Sequence, residues 1–243
     1  MHAPNPLSKV TTRQVFGIAG PAMIANLTTP LIGIVSTTAI GRLGDATLLG
    51  GVAMASVLFD CIFWLFGFLR MSTLAFTAQS LGAGETGELR TILVRGFIVA
   101  ALIGLGVISL QVPLAATLLT TMGGSEGVTR AAKTYFTIRI WSAPLVLANY
   151  VVLGWLIGQA RARLALSVQV AINLINAVAT ALLVLVLDAG IAGAAIAAVI
   201  AEAAGLLLGI MIAGHLTQWK LAIARATLFD RAKLMRKIGR AHV

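Results

Sequence analysis

The stretch LSVQVAINLINAVATALLVLVLDAGIAGAAIAAVIAEAAGLLLGIMIAGH, residues 166–215, contains two apolar runs separated only by Asp188, Ala189 and Gly190. Each run has the roughly 20 residues that a helix needs to cross the hydrocarbon core of a bilayer. Neither run alternates in polarity at every second residue, as the strands of a membrane barrel do. Because hydrocarbon cannot satisfy backbone N–H and C=O groups, each run must then be a helix. The stretch therefore predicts two antiparallel membrane helices joined by a tight turn.

The rest of the 243-residue chain has the same character. It is 59% hydrophobic and only 11% charged, whereas a soluble domain has about 25% charged residues. Apolar runs between polar breaks predict six spans, at residues 16–40, 48–70, 95–119, 133–157, 166–187 and 191–215. We therefore expect an all-α membrane protein, with residues 1–15 as a tail and residues 16–217 as one unit of six transmembrane helices.

Lys and Arg are distributed unevenly between the two ends of these spans, and short positively charged loops stay on the cytoplasmic side of a membrane. The larger group has thirteen members, namely Lys9, Arg13, Arg90, Arg95, Arg161, Arg163 and seven within residues 220–240. The smaller group comprises Arg42, Arg130 and Lys133. We therefore expect both termini in the cytoplasm. The bias accounts for the net charge of +10, so no nucleic-acid partner is expected.

The sequence contains no constellation typical of an enzyme or a metal centre. The single cysteine, Cys61, excludes an intramolecular disulfide and is expected to be a packing residue. The histidines His2, His215 and His242 fall in the tails or at the end of a span. No metalloprotease, hydrolase or phosphate-binding motif is present. We expect no catalytic function, no metal site and no cofactor.

Two spans carry polar residues at helical spacing. In the first span, Asn26, Thr29, Gly33 and Ser36 lie on one face of a helix. In the fifth span the corresponding stripe consists of Gln169, Asn173, Asn176 and Thr180. Such stripes hydrogen-bond helices to each other in many membrane proteins. Alternatively, the two stripes form the wall of a hydrated cavity. Their residues alone do not decide between the two interpretations.

Four charged residues fall inside predicted spans, where a charge is costly and usually faces the interior of a bundle: Asp60, Arg70, Arg139 and Glu202. For Asp60 the alternatives are ion or proton handling, pairing with an Arg of another helix, or a misplaced span boundary. Arg70 is placed near the cytoplasmic end of its span, where it would extend to the interface. Glu202 precedes GLLLG, residues 205–209, which suits close helix packing, and a structural role is slightly favoured over ion handling.

Several stretches together resemble the N-terminal lobe of multidrug and toxic compound extrusion (MATE) transporters, of the DNA-damage-inducible F type. They are GPAMIANLTTPLIGIV at 20–35, LFDCIFWLFGFLRMST at 58–73, TAQSLGAG at 77–84, IRIWSAP at 138–144, NYVVLGWLIGQ at 149–159, NLIN at 173–176 and GAAIAAVIAE at 193–202. The resemblance implies a bacterial inner-membrane antiporter with two six-helix lobes. Such a transporter exports amphiphilic, mostly cationic compounds in exchange for H⁺ or Na⁺ by alternating access.

Only one lobe of such a twelve-helix transporter fits in this chain, so the resemblance implies a missing C-terminal lobe. Residues 218–237 are then expected to be a basic cytoplasmic linker toward it. The codons for KIGRAHV, residues 237–243, are compatible with a common sequencing adapter. Residues 238–243 are therefore expected to be an artefact of sequencing.

The chain departs from the family pattern where the N-terminal lobe has its cation or proton site. Ser36 and Thr180 stand where the resemblance implies aspartates, and Ala198 stands where a hydroxyl is implied, whereas Asn173 and Asn176 are retained. A hydroxyl cannot exchange a proton near neutral pH as a carboxylate can. Our prediction is that Asp60 has taken over coupling; equally open is a lobe that has lost its ion site.

Glu202 completes the candidate ion positions, and the candidate cavity-lining residues are Asn26, Thr29, Asn149 and Gln169.

Two other functions compete with the antiporter. A flippase for lipid-linked sugars in the same superfamily would favour a more cationic central cavity. A membrane subunit or scaffold without transport activity is favoured by the lost carboxylates.

Overall fold

A computed structural model describes residues 38–42 and 44–217 of the chain. The described helices are α1 (Ala46–Leu65), α2 (Phe68–Gly82), α3 (Thr86–Ser109), α4 (Gln111–Thr121), α5 (Glu126–Arg139), α6 (Ala143–Gly158), α7 (Ala162–Thr180) and α8 (Gly190–Thr217). A 3₁₀ turn, Ile140–Ser142, joins α5 to α6, and a π-helical turn, Ala181–Val186, extends α7. The all-α prediction is confirmed, and no strand occurs among the described residues.

These helices form five spans that are long and apolar enough to cross a membrane, with α1–α2, α5–α6 and α7 with its π turn each counting as one. They contain the second, fourth and sixth predicted spans and all but the last residue of the fifth, whereas the third predicted span extends beyond the end of its helix. The first predicted span lies outside the described residues except for its end, residues 38–40, which is helical. The N-terminal tail and residues 218–243, with the linker and the adapter-derived segment predicted there, also lie outside them.

The predicted boundaries between the second and third spans are wrong. α2 continues to Gly82 and α3 begins at Thr86, so the break is shorter than the polar composition of residues 81–90 indicated. Arg70 consequently lies just after the interruption between α1 and α2, about 18 Å along the axis from the end of α2 at 1.5 Å per residue. Its predicted position near the end of the span is therefore also wrong.

The apolar run at residues 95–119 does not form one helix. α3 ends at Ser109, and α4 begins two residues later. Pro113 explains the break. A proline has no N–H to donate to the carbonyl four residues earlier, here that of Ser109, and the proline ring clashes with that carbonyl. The proline was visible in the sequence, but hydropathy alone joined the two segments.

The α5–α6 span lies in the middle of the bundle, since most of its apolar segment is buried whereas the other four spans expose most of theirs. α1 packs on α5, both α2 and α3 pack on α6, and α8 packs on α7, α5 and α6. The turn at residues 188–190 is as tight as predicted, and Asp188 and Gly190 adopt positive φ angles of 49° and 52° there.

Glycines set the distance between the central helix and its neighbours. A Cβ at Gly154 would collide with the carbonyl oxygen of Arg70, and one at Gly158 would lie 2.6 Å from that of Leu74. On α8, a Cβ at Gly209 would lie 2.6 Å from Val152, and one at Gly205 would collide with Ile172. The close packing predicted for GLLLG is confirmed, and such approach is typical of small residues in membrane helices.

Candidate functional site

Polar groups lie where two apolar clusters of the bundle meet. The first cluster contains Phe59, Phe136, Val146 and Ala195 among others. The second begins one residue further along α6, at Leu147, and includes members of α2, α3, α7 and α8. The boundary between them crosses α6 just before Asn149 and α8 just before Glu202. We call Asp60, Arg70, Arg139, Asn149, Tyr150 and Glu202 the polar cluster.

Asn149 and Glu202 join α6 to α8 within this cluster. The Nδ2 group of Asn149 donates to the Glu202 carboxylate oxygen Oε2 at 2.7 Å and to the Glu202 backbone carbonyl at 2.9 Å. Both partners are acceptors, so the amide must present its nitrogen to them. The other end of the amide, Oδ1, is buried and has no hydrogen-bond partner in the described structure.

The contact between Asn149 and Glu202 depends on a glycine. Gly205 lies one turn after Glu202 on α8, and a Cβ there would collide with Ile172 and lie 3.6 Å from the Asn149 Nδ2 atom. The missing side chain lets α8 approach both α6 and α7. Asn149 was predicted to line a cavity and Glu202 to belong to an ion site; their contact, across 53 residues of sequence, was not predicted.

Arg139, at the end of α5, is held by aromatic rings. Its guanidinium lies 4.8 Å from the centre of the Phe59 ring and 5.6 Å from that of the Tyr135 ring, and it donates to the Tyr135 hydroxyl at 3.1 Å. Among the described residues, no carboxylate lies within 4 Å of it. Cation–π contacts contribute about 0.5–1 kcal/mol at exposed sites and about 2 kcal/mol when the cation is desolvated; Arg139 is half-buried. These aromatic partners were not predicted, although Tyr135 lies one helical turn before Arg139 in the sequence.

The four charges within the spans gather around Tyr150 on α6. Its hydroxyl lies within electrostatic range of Glu202, Arg70, Asp60 and Arg139. Glu202 also lies within range of Arg139. The fold thus brings together charges from α1, α2, α5 and α8 that the sequence left as separate observations.

Asp60 differs from the other acidic member of the cluster because it is exposed on α1. Cys61 is exposed beside it, so the expectation that this thiol is a packing residue is wrong. The reason is the orientation of α1, whose Phe59 and Phe63 face the core while Asp60, Cys61 and Trp64 face away from it. Whether Asp60 couples transport to an ion stays a prediction.

The predicted stripe on α7 faces partly into the bundle. Asn173 and Thr180 are buried, whereas Gln169 and Asn176 are half-buried. Gln169 donates to the Asn173 side-chain oxygen at 3.1 Å, and the Thr180 hydroxyl has no hydrogen-bond partner in the described structure. Ala198, on α8, is buried. The first-span stripe, with Asn26, Thr29 and Ser36, lies outside the described residues, so the ion-site positions predicted at Ser36 and Thr180 stay predictions.

Residues 21–182 match the family model described as MatE. The chain is 36% identical over 238 residues to DNA damage-inducible protein F of Escherichia coli strain K12. The aligned region covers 93% of this chain and 52% of that protein. It is 26% identical over 171 residues to the "Probable multidrug resistance protein NorM" of Caulobacter vibrioides, covering 70% of this chain and 36% of that protein. The chain therefore spans about half the length, or less, of these curated relatives.

Solved structures share the fold. A MOP superfamily transporter from Pyrococcus furiosus matches with a TM-score of 0.81 at 20% identity, over 93% of this chain and 50% of that chain. A MATE structure in complex with MaD5 matches with a TM-score of 0.80 at 20% identity, over 93% and 51% of the two chains. At this identity the likeness establishes the architecture, and it again covers about half of each longer protein.

Proposed function

We propose that this chain, which belongs to the MatE family, forms one lobe of a secondary active transporter that expels small amphiphilic cations in exchange for H⁺ or Na⁺. The match of residues 21–182 to the family model carries the proposal. It agrees with the resemblance found in the sequence, and the relatives include a protein whose name refers to multidrug resistance. The polar cluster supplies what a passage for cations needs inside an apolar bundle, namely charged and hydrogen-bonding groups on several helices.

A second lobe of similar size completes the transporter in this proposal. The chain covers 52% of its E. coli relative and 50% of the P. furiosus structure. Alternating access requires one half of a transporter to move against the other. The apolar side chains of Trp64, Phe68 and Met71, exposed on α1 and α2, suit contact with lipid or with such a lobe.

The proposed orientation is that of a multi-pass inner-membrane protein with both termini in the cytoplasm. Its support comes from the ends of the helices. Arg90, near the start of α3, donates to the carbonyl of Thr217 at the end of α8 at 2.6 Å. These two ends therefore lie on one side of the bundle, which is the side where the charge bias places the cytoplasm.

The test is efflux of a fluorescent cationic dye from an efflux-deficient host that expresses the complete reading frame with both lobes. We expect energy-dependent efflux that a protonophore or removal of Na⁺ abolishes, and no efflux from residues 1–243 alone. Membrane-inserted protein without any dye efflux would contradict the proposal. In that case, rescue of lipid-linked sugar export in a flippase-deficient strain would identify the flippase, and absence of rescue would favour the inactive subunit.

A further inference from the structure

The carboxylate of Glu202, which is half-buried, differs from the buried carboxylate of Glu88 in the described spans. Glu88, in the first turn of α3, forms an ion pair with Arg95 at 3.3 Å. Glu202 has no Lys, Arg or His within 4 Å among the residues that the structure describes. Its side-chain partner is the neutral amide of Asn149, which is itself only 2% exposed. A carboxylate without a compensating base is expensive to hold in an apolar interior, and such groups take up a proton to become neutral.

Resting on the proposed function, we propose that Glu202, held by Asn149 between α6 and α8, is the group of this lobe that binds and releases the coupling proton. The geometry supports both states. When Glu202 is a carboxylate, the Asn149 Nδ2 group donates to its Oε2 atom at 2.7 Å and to its backbone carbonyl at 2.9 Å. When it is protonated, no base of residues 38–42 and 44–217 within 4 Å loses an ion-pair partner, and the bond from Asn149 to the backbone carbonyl of Glu202 remains.

The donor set suits a proton rather than a metal cation. A hard cation needs several oxygen ligands around it. Here the Oε2 atom of Glu202 already accepts a hydrogen bond from the amide nitrogen of Asn149. No group of three or more His, Cys, Asp or Glu able to hold a metal occurs in the described part of the chain. The proton requires a single lone pair on the carboxylate. It is taken from water on one side of the membrane and returned to water on the other, so no covalent intermediate or co-reactant is involved.

The surroundings of Glu202 connect its protonation to the rest of the polar cluster. Arg139 of α5 and Tyr150 of α6 lie within electrostatic range of it, while the polar stripe of α7 is uncharged. Asp60 and Arg70 lie within range of the same Tyr150 hydroxyl. Protonation removes one negative charge from this group and leaves Arg139 supported by its aromatic rings. A cationic substrate is then bound less favourably, which is the exchange that an antiporter requires.

The experiment uses the complete transporter, purified in detergent, and infrared difference spectra recorded across a pH titration. The band of a protonated carboxylic acid is followed in the wild type and in Glu202→Gln, Glu202→Asp, Asp60→Asn and Glu126→Gln. Glu126 is the matched control, since its side chain is exposed and paired with Arg130 at 2.6 Å at one end of α5. We expect Glu202→Gln to lose one titrating band, Glu202→Asp to retain it at a shifted midpoint, and Glu126→Gln to leave it unchanged.

Dye transport by the same variants in proteoliposomes provides the second readout. Loss of proton-driven transport in Glu202→Gln, with recovery in Glu202→Asp, supports the proposal. If no variant transports but the Glu202 band titrates, the proton site stands and the antiporter function is wrong. If Glu202→Gln retains both the band and wild-type proton-driven transport, or if Asp60→Asn alone removes the band, the assignment to Glu202 is overturned. Should Glu202→Gln fail to fold, the midpoint shift in Glu202→Asp decides alone, and an unchanged midpoint overturns the assignment.

Discussion

α6 has two contrasting surfaces, and the difference between them separates the rigid part of the bundle from the part suited to change. On one surface Gly154 and Gly158 lie against backbone carbonyls of α2 with no space for a methyl group. On the other, Asn149 reaches Glu202 on α8 while one of its own polar atoms stays without a hydrogen bond in the described structure. The glycine contacts fix helix positions through many atoms, whereas the polar contact depends on a few atoms and on one protonation state.

The largest effect is expected at the glycine surface. Gly154→Ala places a methyl group against the carbonyl of Arg70, a backbone atom that cannot rotate away. Overpacking of this kind costs about 1–3 kcal/mol, so the free energy of unfolding in mixed micelles is expected to fall by that amount. The matched control is Gly106→Ala on α3, where a Cβ meets no atom of the described residues within 4 Å. Equal losses in both variants would show that the α2–α6 contact is looser than described.

A smaller loss is expected at the polar surface. Asn149→Leu leaves the Glu202 carboxylate without its hydrogen-bond donor. An unsatisfied buried group costs about 1–3 kcal/mol, more if charged, and Glu202, being half-buried, is expected at the lower end of that range. Part of this loss is recovered when Glu202 takes up a proton, so the net effect falls below that of Gly154→Ala. Gln169→Leu is the control, because its amide contact lies within one helix and such pairs contribute about 0.2–0.5 kcal/mol. Unfolding of both variants in mixed micelles measures the difference, and equal losses would contradict the account.

The sequence predicted those features of the two surfaces that depend on residues close together in the chain, and it did not predict contacts between distant residues. Apolar runs predicted the second, fourth, fifth and sixth spans, and the spacing of GLLLG predicted a packing surface, because both follow from neighbouring residues. The interruption after Leu65 and the position of Arg70 were missed, since hydropathy measures composition and not helix continuity. The Asn149–Glu202 contact could not be predicted, because it requires the approach of two helices that are distant in sequence. Arg139 was recognised as a charge, but the rings that hold it come from both α1 and α5.

At Thr180 we expect stability to be retained. Its hydroxyl is buried without a hydrogen-bond partner in the described structure, so Thr180→Val removes a buried polar group and breaks no described hydrogen bond. The free energy of unfolding is expected to stay constant or to rise by up to about 1 kcal/mol. Thermal unfolding in detergent measures this. A loss of more than about 1 kcal/mol would mean that the hydroxyl has a partner.

The smallest effect is expected at the start of α1, outside both surfaces. The Thr47 backbone N–H donates to the Asp45 carboxylate at 2.7 Å and holds the pKa of Asp45 below its usual value. A lowered folded-state pKa means that this cap stabilises the fold above the unfolded pKa and that the contribution disappears as pH falls through the folded pKa. Asp45→Ala should therefore lower Tm slightly at neutral pH and leave it unchanged in acid below both values. A Tm difference that persists in acid would contradict the capping role.

The contact between Asn149 and Glu202 is the central claim, and a double-mutant cycle in mixed micelles tests it most directly. The free energies of unfolding of Asn149→Leu, Glu202→Met and the double variant are compared with that of the wild type. For residues in contact we predict a coupling energy of at least about 0.5 kcal/mol, whereas distant residues are additive within about 0.3–0.5 kcal/mol. Strict additivity at these two positions would contradict the contact, and with it the site assigned to Glu202.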